Sequence, residues 1–179
     1  MNLYFEQGAL RVRSMIETDI AALNAAIRAQ GWSKPADLYA CYWQWEQDGT
    51  RRIVVAEFDG YVAGYLTVRP QVDVGPFAGR RIPAVEDLIV FEPFQRKGIA
   101  NCLMQAAEDI ARETADEICL GVGLHSGYGP AQRLYARRGY IPDGGGVYYQ
   151  DKPLAPYANC ANDDDLVLCL SKRLKKQPR

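Results

Sequence analysis

With 179 residues, 48% of them hydrophobic, the chain is long enough to bury one substantial core. Its 21 basic and 22 acidic side chains leave a formal charge of -1, which excludes a global attraction to nucleic acid or an acidic membrane, so any anion site must be local. No apolar run reaches transmembrane length, and the five cysteines are odd in number without CxxC spacing; both point to a soluble protein in a reducing, cytoplasmic compartment.

In chain order, NLYFEQG resembles an engineered protease-cleavage linker, so residues 1–9 are expected to be tag-like or disordered. One domain is expected over residues 10–172, followed by a basic tail at 173–179. LRVRSM alternates like a strand, and Thr18 and Asp19 are good helix starters before IAALNAAIRAQ, which Gly31 stops. Residues 36–47 form a second predicted helix dense in aromatics; Tyr42, Trp43 and Trp45 either pack it or line a pocket. RRIVVAEF and YVAGYLTVRP flank Asp59-Gly60, a two-residue turn suited to positive φ, which predicts an antiparallel hairpin. IPAVEDLIVF is the next strand, and a helix follows from Gly98 to about Glu113. In it Ile99, Leu103, Ala106 and Ile110 mark an apolar face, and Gln105, Glu108, Asp109 and Arg112 turn outward. EICLGVGL is a strand, GPAQRLYARRG a short helix between Pro130 and Gly139, and GVYYQ and DLVLCLS are closing strands, with DGGG and NDDD read as loops. The predicted order is βααβββαβαββ.

The segment Phe91 to Gly98 carries the chemistry. A strand ends at Pro93, two cations and a glycine follow, and a helix begins, so unpartnered N–H groups and a positive dipole end coincide with Arg96 and Lys97. A phosphate suits that place. Gln95-Arg96-Lys97-Gly98-Ile99-Ala100 fits Q/R-x-x-G-x-G/A, and Ala131 to Tyr140, AQRLYARRGY, fits A-x-x-L-Y-x-x-x-G-F. Both motifs, in order and on matching elements, resemble the GCN5-related N-acetyltransferases over nearly all of residues 10–172.

That resemblance implies an α/β (α+β) fold: a mixed, mostly antiparallel sheet, helices on both faces and a splayed parallel strand pair. It implies transfer of the acetyl group of acetyl-coenzyme A to an amine. Gln95 to Ala100 would take the pyrophosphate, Leu88, Ile89 and Val90 would flank the pantetheine arm, and Val90 or its neighbour would present an N–H to the thioester oxygen. Tyr135 falls where the family has its general acid, although packing beside Leu134 is the plainer role for a tyrosine there. Glu86, Asp87 and His125 remain alternative proton acceptors for the amine. Many relatives carry asparagine seven residues before the tyrosine; here that residue is Tyr128, which would pack on the cofactor or shape the acceptor pocket. The acceptor is unassigned, a homodimer is compatible, and no metal, nucleic acid or membrane is implied. A non-catalytic coenzyme A-binding module is the main competitor. GVGLHSG superficially resembles a dinucleotide loop, but the next helix begins too late for it, near Pro130.

Overall fold

The computed structural model describes residues 1–174. The chain divides into two compact units, Met1–Arg69 with Glu86–Ile110, and Pro70–Val85 with Ala111–Arg179.

In the first unit, β1 (Leu3–Gln7), β2 (Leu10–Ser14), β3 (Arg52–Phe58) and β4 (Tyr61–Arg69) form an antiparallel ladder, with β5 (Ala84–Val90) next to β4. The turn between β3 and β4 is Asp59-Gly60, with φ of 53° and 79°, the mirror-image turn that the hairpin twist favours. β1 departs from the sequence expectation, which left residues 1–9 outside the fold. It pairs Phe5 with Val12 and Gln7 with Leu10, and Gly8 at φ 57° turns the chain between the strands. An available edge recruited this segment, and an edge is invisible in a linear pattern.

Helices α1 (Asp19–Ala29) and α2 (Leu38–Asp48) supply Leu23, Ile27, Tyr39 and Tyr42 to a core with Met15, Ile53, Val55, Tyr65 and Phe91. Thr18 precedes α1 without a side-chain capping bond. The Asp19 carboxylate instead ties down the chain that enters the helix, accepting from Ile16 N at 2.8 Å and from both terminal nitrogens of buried Arg13 at 2.7 and 2.8 Å. Glu57 takes the Arg13 Nε hydrogen, so the buried cation is compensated by two carboxylates.

In the second unit, β6 (Glu117–Gly123) pairs in parallel with the start of β5, Ala84 opposite Cys119 and Val85 opposite Leu120. β9 (Leu166–Arg173) runs antiparallel to β6, and β7 (Ile141–Tyr149) to β9, with the two-residue β8 (Lys152–Pro153) at the edge. Among the described residues the hydrogen bonds thus link a mixed sheet of nine strands, mostly antiparallel, with one parallel pair. Phe77, Ile82, Ala84 and Cys119 form a core cluster here.

Two further expectations fail. Asp143 to Gly146, read as a loop, lies within β7 as a bulge, because Pro142 pairs with Leu170 and Val147 with Leu168 on either side. Glu108 of α3 (Ile99–Arg112), read as outward, is buried; Met104, Ala107 and Ala111 widen the buried arc beyond the predicted stripe. The basic tail lies outside the described residues from 175 onward. No helix of the described residues is long and apolar enough to cross a membrane.

Candidate active site

The loop between β5 and α3 is built by short-range bonds. Phe91 is buried, and its N–H donates to Ala63 O at 2.9 Å, which anchors the end of β5 to β4. Pro93 sits in a single 3-10 turn, Glu92–Phe94, where its missing N–H costs nothing. The Gln95 side chain donates back to Val90 O at 3.1 Å. Arg96 and Gly98 then adopt left-handed backbone, φ 61° and 81°, and Gly98 O accepts from Asn101 N at 3.0 Å as α3 begins. A Cβ at Gly98 would meet no atom within 4 Å. Conformation, not space within the protein, demands glycine there. Lys97 Nζ lies 5.0 Å from the centroid of the Phe58 ring, while exposed Arg96 has no ion-pair partner among the described residues. The result is two cations uncompensated by carboxylates beside the first N–H groups of a 14-residue helix.

The approach of β4 to β5 depends on another glycine. A Cβ at Gly64 would stand 2.5 Å from Ile89 O and 3.1 Å from Val90 Cα. Both are backbone atoms of the stretch expected to flank the pantetheine arm, Leu88 to Val90. The sequence carries this glycine in YVAGYLTV without marking its purpose.

Glu86 and Asp87 have different fates. Glu86 accepts from Arg51 Nη1 at 2.7 Å and from Arg69 Nη1 at 3.3 Å, and the Arg51 guanidinium also lies 4.4 Å over the Trp45 ring. Asp87 is exposed and has φ 53° in the middle of a strand, a conformation that costs most non-glycine residues about 1–3 kcal/mol but aspartate less. One of its carboxylate oxygens accepts from the hydroxyl of Tyr42 on α2. Tyr42 is buried, its ring 5.7 Å from Tyr39, 5.6 Å from Trp45 and 6.0 Å from Tyr65. Burial first, and then the charge of Asp87, push its phenol well above the ordinary value, so it stays protonated and acts as a donor. Tyr42 thus does more than pack its helix or line a pocket: its hydroxyl bonds to Asp87, 45 residues away in the chain, a contact no local pattern signals.

Tyr128, His125 and Tyr135 belong to the second unit. His125 has both ring nitrogens engaged: Nδ1 accepts from Gly127 N at 3.1 Å, and Nε2, which therefore carries the hydrogen, lies 3.0 Å from Asp164 Oδ1. Both ring nitrogens are thus engaged within the second unit. The Tyr128 hydroxyl donates to the same Asp164 oxygen at 2.9 Å. Its ring lies so close to Gly123 that a Cβ there would come within 2.3 Å. Tyr135, on α4 (Gly129–Arg137), has a buried ring 5.8 Å from that of Tyr140. No described residue hydrogen-bonds its hydroxyl. Burial, with a smaller contribution from Tyr128, pushes its phenol up to about 12.

Residues 19–140 match the acetyltransferase (GNAT) family. A chloroplastic GCN5-related N-acetyltransferase 4 of Arabidopsis thaliana is 39% identical over 97 residues, 48% of this chain and 32% of the plant protein. The match therefore spans about a third of that relative's length. An N-alpha-acetyltransferase of Sulfurisphaera tokodaii is 31% identical over 117 residues, 56% of this chain and 68% of that protein. Among solved structures, yncA of Salmonella typhimurium, determined with acetyl-CoA, superposes with a TM-score of 0.68 at 17% identity, covering 96% of this chain and 98% of that one. At that identity the likeness is one of fold.

Proposed function

Because the chain belongs to the acetyltransferase (GNAT) family, we propose that it transfers the acetyl group of acetyl-coenzyme A to a primary amine while both are bound. The observation that carries this reading is the loop at the start of α3: left-handed Arg96 and Gly98, two cations free of carboxylates, and the N-terminus of a long helix. Such a loop fits a pyrophosphate. Gln95 to Ala100 would hold it, with Leu88 to Val90 along the pantetheine arm and Tyr128 as a further contact.

The coenzyme A thioester supplies an activated acetyl group. The backbone N–H at Val90 donates to its oxygen as negative charge grows there. Asp87 accepts the proton that the amine must lose; Glu86, the alternative, is already held by Arg51 and Arg69. The Tyr135 hydroxyl gives its proton to the departing sulfur, so one proton is taken up and one is delivered for each C–N bond formed and C–S bond broken. The free cysteines among the described residues fit a reducing compartment, and we assign the protein to the cytoplasm.

The test is release of coenzyme A from acetyl-coenzyme A in the presence of butylamine, spermidine and a neutral peptide with a free amino terminus, with the product weighed by mass spectrometry. We expect an acetylated amine. Binding of acetyl-coenzyme A without transfer to any amine would make the protein a binding module instead.

A further inference from the structure

We propose that Tyr42 is a positioning residue of the acceptor site: it holds one oxygen of Asp87 so that the rest of the carboxylate receives a primary ammonium. The inference rests on the reading that Asp87 takes the amine proton, and it adds a residue that neither motif of the family contains.

Three observations carry it. First, Asp87 has left-handed backbone within β5, φ 53°, and its side chain reaches across to Tyr42 of α2. Second, an exposed carboxylate ordinarily samples several rotamers, and this one is tied to a hydroxyl that cannot move. Tyr42 is 2% exposed and its ring is enclosed by Tyr39, Trp45 and Tyr65. Third, the cations of this region are directed elsewhere, since Arg51 and Arg69 both bind Glu86. No arginine is paired with Asp87 among the described residues. A carboxylate has about four acceptor positions, and among the described residues Tyr42 is its one hydrogen-bond partner. An ammonium, with hydrogens to share and a charge to match, suits the remaining positions.

A double-mutant cycle separates positioning from packing. Wild type, Tyr42→Phe, Asp87→Asn and the double variant are compared with butylamine, spermidine and the neutral peptide as acceptors. Tyr42→Phe should lower kcat/KM for the amine roughly tenfold while leaving the KM for acetyl-coenzyme A within about twofold, and Asp87→Asn should lower kcat/KM roughly 10²-fold or more. The double variant should be no worse than Asp87→Asn, because Tyr42 acts through that carboxylate. Tyr39→Phe, which removes a phenol bonded at 3.2 Å to Tyr65 rather than to Asp87, should retain wild-type kinetics. Should Tyr42→Phe fail to fold, the hydroxyl proton of Tyr42 in the intact protein, observed by NMR, should shift when butylamine is added and be altered in Asp87→Asn. Additive losses in the cycle, wild-type kinetics in Tyr42→Phe, or a hydroxyl signal indifferent to both changes would overturn the proposal. Failure of the wild type to acetylate any of the three amines would overturn the acetyltransferase reading, and this inference with it.

Discussion

Tyr135 joins a buried ring to a hydroxyl that no described residue occupies, and its phenol is pushed up to about 12, chiefly by burial. A proton donor must hold its proton at working pH, and this one does so throughout the neutral and mildly alkaline range. Tyr135→Phe should therefore lower turnover roughly 10²-fold when chemistry limits the rate, with acetyl-coenzyme A affinity nearly unchanged. Wild-type turnover in a folded variant would leave Tyr135 a packing residue. The same phenol makes a prediction independent of catalysis. Its folded value exceeds the ordinary 10.0, so above pH 10 the unfolded chain releases the proton first. The stability associated with the protonated form is intact below about pH 10 and lost as pH rises toward about 12, on the order of 2 kcal/mol in all. Thermal melts across that window should fall less steeply for Tyr135→Phe than for wild type.

At the scale of elements, two glycines near the proposed cofactor path need glycine for opposite reasons. Gly64 is a matter of space: a Cβ would meet Ile89 O at 2.5 Å, and a backbone atom cannot rotate away. Gly64→Ala should cost about 1–3 kcal/mol and raise the KM for acetyl-coenzyme A by displacing Ile89 and Val90. Unchanged melting and KM would show that β4 and β5 tolerate the added carbon. Gly98 is a matter of conformation, with open space around it and φ 81°. Gly98→Val should cost about 1–2 kcal/mol through backbone strain and weaken acetyl-coenzyme A binding in protein that still folds. Calorimetric titration of the folded variant measures this, and wild-type affinity would remove the loop from the cofactor site.

For the whole molecule the expected readout is ligand linkage. A ligand that binds the folded chain alone stabilises it by about 2.7 kcal/mol at a hundred times its Kd. Acetyl-coenzyme A should raise the melting temperature and NAD should leave it unchanged. The dinucleotide alternative rested on GVGLHSG, but Gly123 ends β6 and α4 begins at Gly129, after an intervening 3-10 turn, so those glycines do not form a strand-to-helix phosphate turn. A shift with NAD and none with acetyl-coenzyme A would reverse the assignment.

What the chain dictates locally was legible in its residues. Asp59-Gly60 closes a hairpin because two consecutive positive φ values are a property of those residues and their immediate neighbours. The loop from Gln95 to Ala100 and the helix after it were readable for the same reason: a proline, a left-handed glycine and a 3.6-residue apolar period all act within a few residues. The rest was decided by partners far along the chain. β1 is a strand because β2 offers it an edge, and Asp143 to Gly146 stay within β7 because β9 holds both flanks. Within the candidate site, sequence left Glu86 and Asp87 as equals. Arg51 and Arg69 claim the first and Tyr42 the second, and their different surroundings were visible only once folding had brought α2, β3 and β4 beside β5, since the contacts that divide two adjacent carboxylates come from residues 17 to 45 positions away.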